Sequence, residues 1–85
     1  MESINKINVI MEEKLLEIFR SVFSDVDPSE ITLESEFREF DQYSSLTQVV
    51  LIEEIEEKLK VKIKLLPLIK AETIGDVLEA IEKSE

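Results

Sequence analysis

Residues 44–60 read SSLTQVVLIEEIEEKLK and contain neither glycine nor proline, the residues that most often interrupt a helix. Ser45 and Gln48 have the spacing of a capping box, in which two side chains satisfy backbone amides at the start of a helix. A stretch with two β-branched residues, 61–63, follows the segment. The sequence therefore predicts a helix over residues 45–60.

This predicted helix carries apolar residues on two opposite sides, at about 100° of rotation per residue. The side that we expect to face the core holds Leu51, Ile52, Ile55 and Leu59. The opposite side holds three further apolar residues beside Glu53 and Glu57, namely Leu46, Val49 and Val50. An exposed apolar patch ringed by acid is typical of a docking surface for a partner with a basic rim. Alternatively, the preceding loop folds over Leu46 and Val49 and buries them.

Amphipathic segments flank this helix on both sides. A helix over residues 4–23 is predicted by apolar residues every three or four positions, at Ile4, Ile7, Met11, Leu15, Ile18 and Val22. Thr73 and Asp76 form a second capping-box pattern before a short apolar stripe, and residues 65–71 allow a brief helix that starts at Pro67. We therefore expect an all-α fold without strands, a small antiparallel bundle of three main helices plus one short helix, in a single domain over residues 1–85.

Residues 24–43 lack a sustained period and predict a long loop between the first two helices. Asp27 and Pro28 suit the start of a helical turn. We expect apolar side chains to hold the loop in place, namely Ile31, Leu33, Phe37 and Phe40.

The loop also offers an alternative function as a calcium site. Calcium-ligand spacing is shown by Asp25, Asp27, Ser29 and Glu36. Glu30 replaces the required glycine and Pro28 stiffens the turn, so we expect no metal.

The composition narrows the function classes. Twenty acidic and ten basic residues give a net charge of −10, which repels nucleic acid and anionic membranes and attracts basic protein surfaces. The chain has no cysteine and no histidine, so thiolate nucleophiles, imidazole bases and the usual zinc sites are excluded. Residues 1–10 lack the features of a secretory signal. Pro67 breaks the longest apolar run, so we expect no transmembrane span. We expect a cytoplasmic, monomeric protein that is not an enzyme.

Ser45 stands where the second predicted helix begins. A serine at this place most often caps the helix. If Ser44 takes that role instead, the hydroxyl of Ser45 is free toward solvent. A phosphodiester on this hydroxyl would lie at the positive end of the helix dipole, which favours anions by roughly 0.3–1 kcal/mol.

These residues resemble the acyl carrier protein family, the phosphopantetheine-binding carrier domains. In that family an Asp-Ser-Leu motif opens the second helix, and the matching residues here are Ser44, Ser45 and Leu46. Residues 73–76 resemble the family's Thr-Val-Gly-Asp, and the chain length, acidity and helix order agree over nearly the whole sequence. The resemblance implies that Ser45 bears 4′-phosphopantetheine, which carries acyl groups as thioesters in fatty acid, polyketide or related biosynthesis.

The resemblance also implies a set of partners. These are a phosphopantetheinyl transferase and acyl-transferring or condensing enzymes with basic patches. The residues that would contact them are Leu46, Val49, Glu53, Glu54, Glu56 and Glu57. The residues that would line a cleft for an acyl chain are Phe37, Phe40, Leu51, Ile55, Ile63 and Ile74, and the same set would equally make an ordinary core.

Two departures from the family pattern stand out. Ser44 replaces the family's aspartate, a form similar to some discrete, stand-alone carriers. Residues 58–70 contain five lysines and no acid, whereas residues 25–41 contain seven acids and one base. This charge distribution favours a dedicated carrier with few partners. The alternative function is an unmodified helical interaction module that binds through Leu46, Val49 and Val50.

Overall fold

The computed structural model describes residues 2–84, with side chains from residue 10 to residue 83. The helices are α1 (Glu2–Val22), α2 (Ser45–Leu59), α3 (Leu65–Lys70) and α4 (Ile74–Ser84). Two short 3₁₀ turns, Pro28–Glu30 and Phe37–Glu39, interrupt the loop between α1 and α2. Within residues 2–84 there is no strand, so the predicted all-helical fold of three main helices and one short helix is confirmed.

Helix α1 and the residue that follows it supply two of the three largest fully buried side chains, those of Phe19 and Phe23. Leu15 and Ile18 are buried, as predicted from the apolar stripe, and Met11 and Val22 are half-buried. The remaining two residues of that stripe, Ile4 and Ile7, have side chains outside the described residues. The predicted stripe did not include Phe19 or Phe23, the residue directly after α1, although both are fully buried. The buried face of a helix is more than 100° wide, so a single line of three- and four-residue steps does not cover it.

The long loop packs against α1 through its aromatic side chains. The ring of Phe37 meets that of Phe19 edge to face at 5.1 Å, and the ring of Phe40 meets that of Phe23 at 5.0 Å. Ile31 and Phe37 are buried, and Leu33 and Phe40 are half-buried, which confirms that these four side chains hold the loop. The start of a turn predicted at Asp27 and Pro28 is also confirmed.

Hydrogen bonds fix the same loop to both neighbouring helices. The guanidinium of Arg20 donates from Nε to the carbonyl of Pro28 at 3.0 Å and from Nη2 to the carbonyl of Ile31 at 3.1 Å. At the other side, the first amides of α4 donate to the loop, from Gly75 to the carbonyl of Leu33 at 2.8 Å and from Ile74 to that of Ser35 at 3.2 Å. The loop is therefore ordered by contacts at both of its ends and along its length.

Helix α2 begins at Ser45, as predicted, but its capping pair and its last residue differ from the prediction. Its N-cap is Ser44, and the predicted capping pair of Ser45 and Gln48 is wrong by one residue. Its last helical residue is Leu59, because Lys60 has the left-handed backbone conformation with a φ of 58° and ends the helix. The left-handed region is incompatible with the continuation of a right-handed helix.

The starts of the two C-terminal helices differ in how well the sequence predicted them. The start predicted for α3 at Pro67 is wrong, because α3 begins at Leu65. Proline is tolerated there since the amides of the first turn have no partner within a helix. The capping box predicted for α4 is confirmed: Asp76 donates from its amide to Thr73 Oγ1, and Thr73 donates from its amide to Asp76 Oδ2, both at 3.1 Å.

Candidate functional site at the start of helix α2

The side chain of Ser44 is engaged in the cap of α2. Its Oγ accepts a hydrogen bond from the amide of Thr47 at 3.3 Å, and Thr47 Oγ1 accepts one from the amide of Ser44 at 2.7 Å. Thr47 Oγ1 also donates to the carbonyl of Ser44 at 2.8 Å. Threonine thus takes the place of the Glu or Gln that usually completes a capping box. The cap therefore uses the hydroxyl of Ser44, and the hydroxyl of Ser45 takes no part in it.

Ser45 is the first residue of α2 and is exposed. Its hydroxyl makes no hydrogen bond to any residue that the structure describes. The amides of Ser45 and Leu46 lie in the first turn, where a helix offers them no carbonyl, so they remain available to an anion. The site therefore joins a solvent-accessible hydroxyl to the positive end of a helix dipole.

The residues next to Ser45 in the chain are uncharged. Residues 42–52 contain no charged side chain, and the first turn of α2 contains no acid. With Ser44 in place of the family's aspartate, no carboxylate stands next to Ser45 in the chain. A phosphodiester attached here would therefore meet no like charge on neighbouring residues, which fits the covalent group that the resemblance implies.

Tyr43 and Gln48 position the segment that leads into the site. Gln48 Nε2 donates to the hydroxyl of Tyr43 at 2.6 Å, and the ring of Tyr43 lies 5.8 Å from that of Phe37. Gln42 Oε1 accepts a hydrogen bond from the amide of Asp25 at 3.0 Å, which ties the same segment to the end of α1. No sequence pattern predicts these contacts beyond the presence of Gln42 and Gln48 on either side of the two serines.

An apolar patch adjoins Ser45 on the outer side of α2. The exposed fractions of its side chains are 72% for Leu46, 47% for Val49 and 36% for Val50. The alternative that the loop buries Leu46 and Val49 is therefore wrong, because the loop packs on α1 and α4 instead. The predicted core face is confirmed, since Leu51 and Ile55 are fully buried and its other two members, Ile52 and Leu59, are half-buried.

The acidic residues of α2 differ in their surroundings. Glu53, Glu56 and Glu57 are exposed. Glu54 is half-buried and its carboxylate lies 3.0 Å from the ammonium of Lys58. Of the four acids named in the sequence analysis, Glu54 thus has a cationic neighbour on its own helix, whereas the other three extend the apolar patch with negative charge.

The residues predicted to line an acyl cleft are packed in the core. Five of the six are buried and Phe40 is half-buried, as in an ordinary helical core. A separate open groove of about 510 Å³ lies beside the loop and is lined by Glu36, Arg38, Glu39, Tyr43 and Glu72. The pKa of Glu36 is raised there, because its protonated carboxyl donates a hydrogen bond to the neighbouring Glu39 and because the negative charge of Glu39 disfavours ionisation.

Two residues of the calcium pattern, Asp27 and Ser29, form hydrogen bonds with each other within the loop. Asp27 Oδ1 accepts hydrogen bonds from the amide of Ser29 at 3.0 Å and from its hydroxyl at 2.8 Å. The hydrogen bond from the backbone amide of Ser29 is the main reason that the pKa of Asp27 is lowered. The described part of the chain holds no group of three or more acidic, histidine or cysteine side chains arranged to bind a metal ion.

Comparison with protein families identifies the family of the chain. The family model for the phosphopantetheine attachment site matches residues 13–81, which include all of α2 and α3 and most of α4. A search of curated proteins found no significant match. No helix in residues 2–84 is long and apolar enough to cross a membrane. Domains of the matched family are non-catalytic carriers with a covalent 4′-phosphopantetheine group. The chain belongs to the family of phosphopantetheine-binding carrier proteins.

Proposed function

We propose that Ser45 is the attachment residue and that the protein is an acyl carrier in fatty acid, polyketide or related biosynthesis. The observation that carries this proposal is the division of roles between two adjacent serines. The Ser44 hydroxyl accepts a hydrogen bond in the helix cap, whereas the Ser45 hydroxyl is exposed at the positive end of α2 and makes no hydrogen bond with the part of the chain that the structure describes.

The arm supplies a thiol that holds acyl groups as thioesters. The chain itself anchors and presents that arm. The free amides of the first turn of α2 stabilise the phosphate. The apolar patch at Leu46 and Val49 lies within about one helical turn of Ser45, so an enzyme that receives the arm also reaches the patch.

The proposed partners are a phosphopantetheinyl transferase and acyl-transferring or condensing enzymes with basic patches. Glu53 and Glu57 share the outer side of α2 with the apolar patch and lie about 12 Å and 18 Å from Ser45 along the helix axis. Glu56 flanks them. Opposite charge steers association and adds little to the lifetime of a complex, which suits a carrier that visits several enzymes.

We also propose that the protein is a monomer with a single carrier domain and that it acts in the cytoplasm. The start of one helix provides the whole attachment site, and no second copy is needed to complete it.

Intact mass spectrometry tests the proposal. The wild-type protein is incubated with coenzyme A and a broad-specificity phosphopantetheinyl transferase, in parallel with Ser45→Ala and Ser44→Asp. We expect the wild type and Ser44→Asp to gain one arm and Ser45→Ala to gain none. Ser44→Asp is the matched control, because aspartate is an equally good helix cap.

Failure of the folded wild type to gain an arm would overturn the proposal, provided that a known carrier is modified in the same tube. That result would favour the second candidate function, an unmodified interaction module. The exposure of Leu46, Val49 and Val50 supports this candidate, since a patch of this kind can bind a protein without the arm.

A further inference from the structure

Helix α3 presents an apolar face to solvent. The exposed fractions are 45% for Leu65, 59% for Leu66 and 37% for Ile69, whereas Leu68 is fully buried. At about 100° per residue the three exposed side chains fall within an arc of about 100°. They therefore form one continuous strip on the side of α3 that faces away from the core.

Lysines surround this strip. In the connection between α2 and α3, Val61 is half-buried and Ile63 is buried, while Lys60, Lys62 and Lys64 are exposed. The alternation of burial from Val61 to Lys64 places Lys62 and Lys64 on the outer side of this connection. We call the resulting patch the basic surface, and it consists of Lys60, Lys62, Lys64, Leu65, Leu66, Ile69 and Lys70.

The charge of the basic surface is opposite to that of the rest of the molecule. Residues 58–70 contain five lysines and no acidic residue, and the ammonium of Lys58 lies 3.0 Å from the carboxylate of Glu54 on α2. The chain outside residues 58–70 carries a formal charge of −15, since the total is −10 and the segment contributes +5. Lysines around an apolar strip complement a surface with acids around an apolar centre.

We propose that the basic surface docks an acidic patch on an enzyme partner of this carrier. The inference rests on the proposed function, and it adds a second contact of opposite sign to the one made by the acids of α2. A protein partner fits better than an anionic membrane, because a flat anionic surface would also repel the −15 on the remaining chain. A protein can place its acids opposite the lysines alone.

The two contacts together confer selectivity. An enzyme with only a basic patch can bind α2, but it meets like charge when it approaches α3. An enzyme with a basic patch and an adjacent acidic patch satisfies both surfaces and can bind in one orientation. Repulsion of the wrong partner is an effective way to achieve specificity.

The experiment begins by identifying the partner. A photo-crosslinking amino acid is placed at Leu66 in the native producing cells, with Glu79 on α4 as the control position. The protein captured at Leu66 is purified, and its affinity is measured for wild type, Lys64→Glu/Lys70→Glu and the control Lys14→Glu/Lys83→Glu. Each double variant changes the net charge from −10 to −14, but the control leaves the basic surface intact.

We expect an enzyme captured at Leu66 and not at Glu79, with affinity reduced about tenfold in Lys64→Glu/Lys70→Glu and little changed in the control. Equal affinity of both variants, or no protein captured at Leu66, would overturn the proposal. So would binding of the wild type to vesicles of equal parts phosphatidylcholine and phosphatidylglycerol that is lost in Lys64→Glu/Lys70→Glu. Modification by the transferase is measured separately, so failure at Ser45 is distinguishable from failure of the basic surface.

Discussion

Ser44 and Ser45 are chemically identical, and the start of α2 places them in different surroundings. The sequence could not decide which of them caps the helix, because Thr47 and Gln48 each offer a suitable partner at the required spacing. The structure shows the cap between Ser44 and Thr47. The exposure of Ser45 follows from the position of that cap.

Substitution at Ser44 changes stability without removing the attachment hydroxyl. We expect Ser44→Ala to lower the free energy of unfolding by about 1 kcal/mol, because the amide of Thr47 loses its acceptor. Ser44→Asp should be near wild type. Urea unfolding of the three proteins measures this, and equal losses in both variants would contradict the role of Ser44 as the cap.

Lys60 is the only residue in 2–84 other than glycine with a positive φ, and this conformation strains an L side chain. We expect Lys60→Gly to raise the free energy of unfolding by about 0.5–1 kcal/mol, because glycine adopts it without a steric cost. Lys62→Gly, in the exposed extended segment, is the control and should not stabilise the protein. Both are measured by urea unfolding, and stabilisation by Lys62→Gly alone would refute the explanation.

At the scale of the elements, apolar periodicity and capping residues predicted α1, α2 and α4 within a few residues. The start of α3 was less accessible, since proline suits several positions of a first turn. The exposure of Leu46 depends on where the long loop packs. No local pattern specifies the bonds of Arg20 to two loop carbonyls, which depend on the tertiary approach of residues 28–31 to α1.

Arg20 is the residue that most directly couples the loop to α1. We expect Arg20→Met to lower the free energy of unfolding by about 1–3 kcal/mol, because two carbonyls lose a charged donor. Arg38→Met is the matched control, since Arg38 is exposed and makes no hydrogen bond with the described residues. Thermal unfolding measures both, and a loss as large in Arg38→Met would show that the change in charge is responsible.

For the whole molecule, stability in acid depends on carboxylates whose pKa values move in opposite directions. The amides of Thr73 and Glu72 lower the pKa of Asp76 below 3.8, so its contribution is complete above pH 3.8 and is lost as the pH falls through the lowered value. Glu39 raises the pKa of Glu36 above 4.5, so protonation of Glu36 stabilises the fold as the pH falls toward 4.5.

We therefore expect the stability to rise slightly as the pH approaches 4.5 and to fall below pH 3.8. Thermal unfolding between neutral and acid pH measures the curve. Asp76→Asn should remove part of the fall at low pH, and Glu36→Gln should remove part of the rise. A curve that keeps its shape in both variants would contradict these assignments.

The central claim is that Ser45 carries the phosphopantetheine arm, and fragmentation mass spectrometry of the modified protein tests it most directly. Fragments that separate Ser44 from Ser45 show which serine bears the added mass. We predict that the whole addition lies on Ser45. An addition on Ser44 would contradict the claim, because it would require the helix cap to open and release the hydroxyl that holds it.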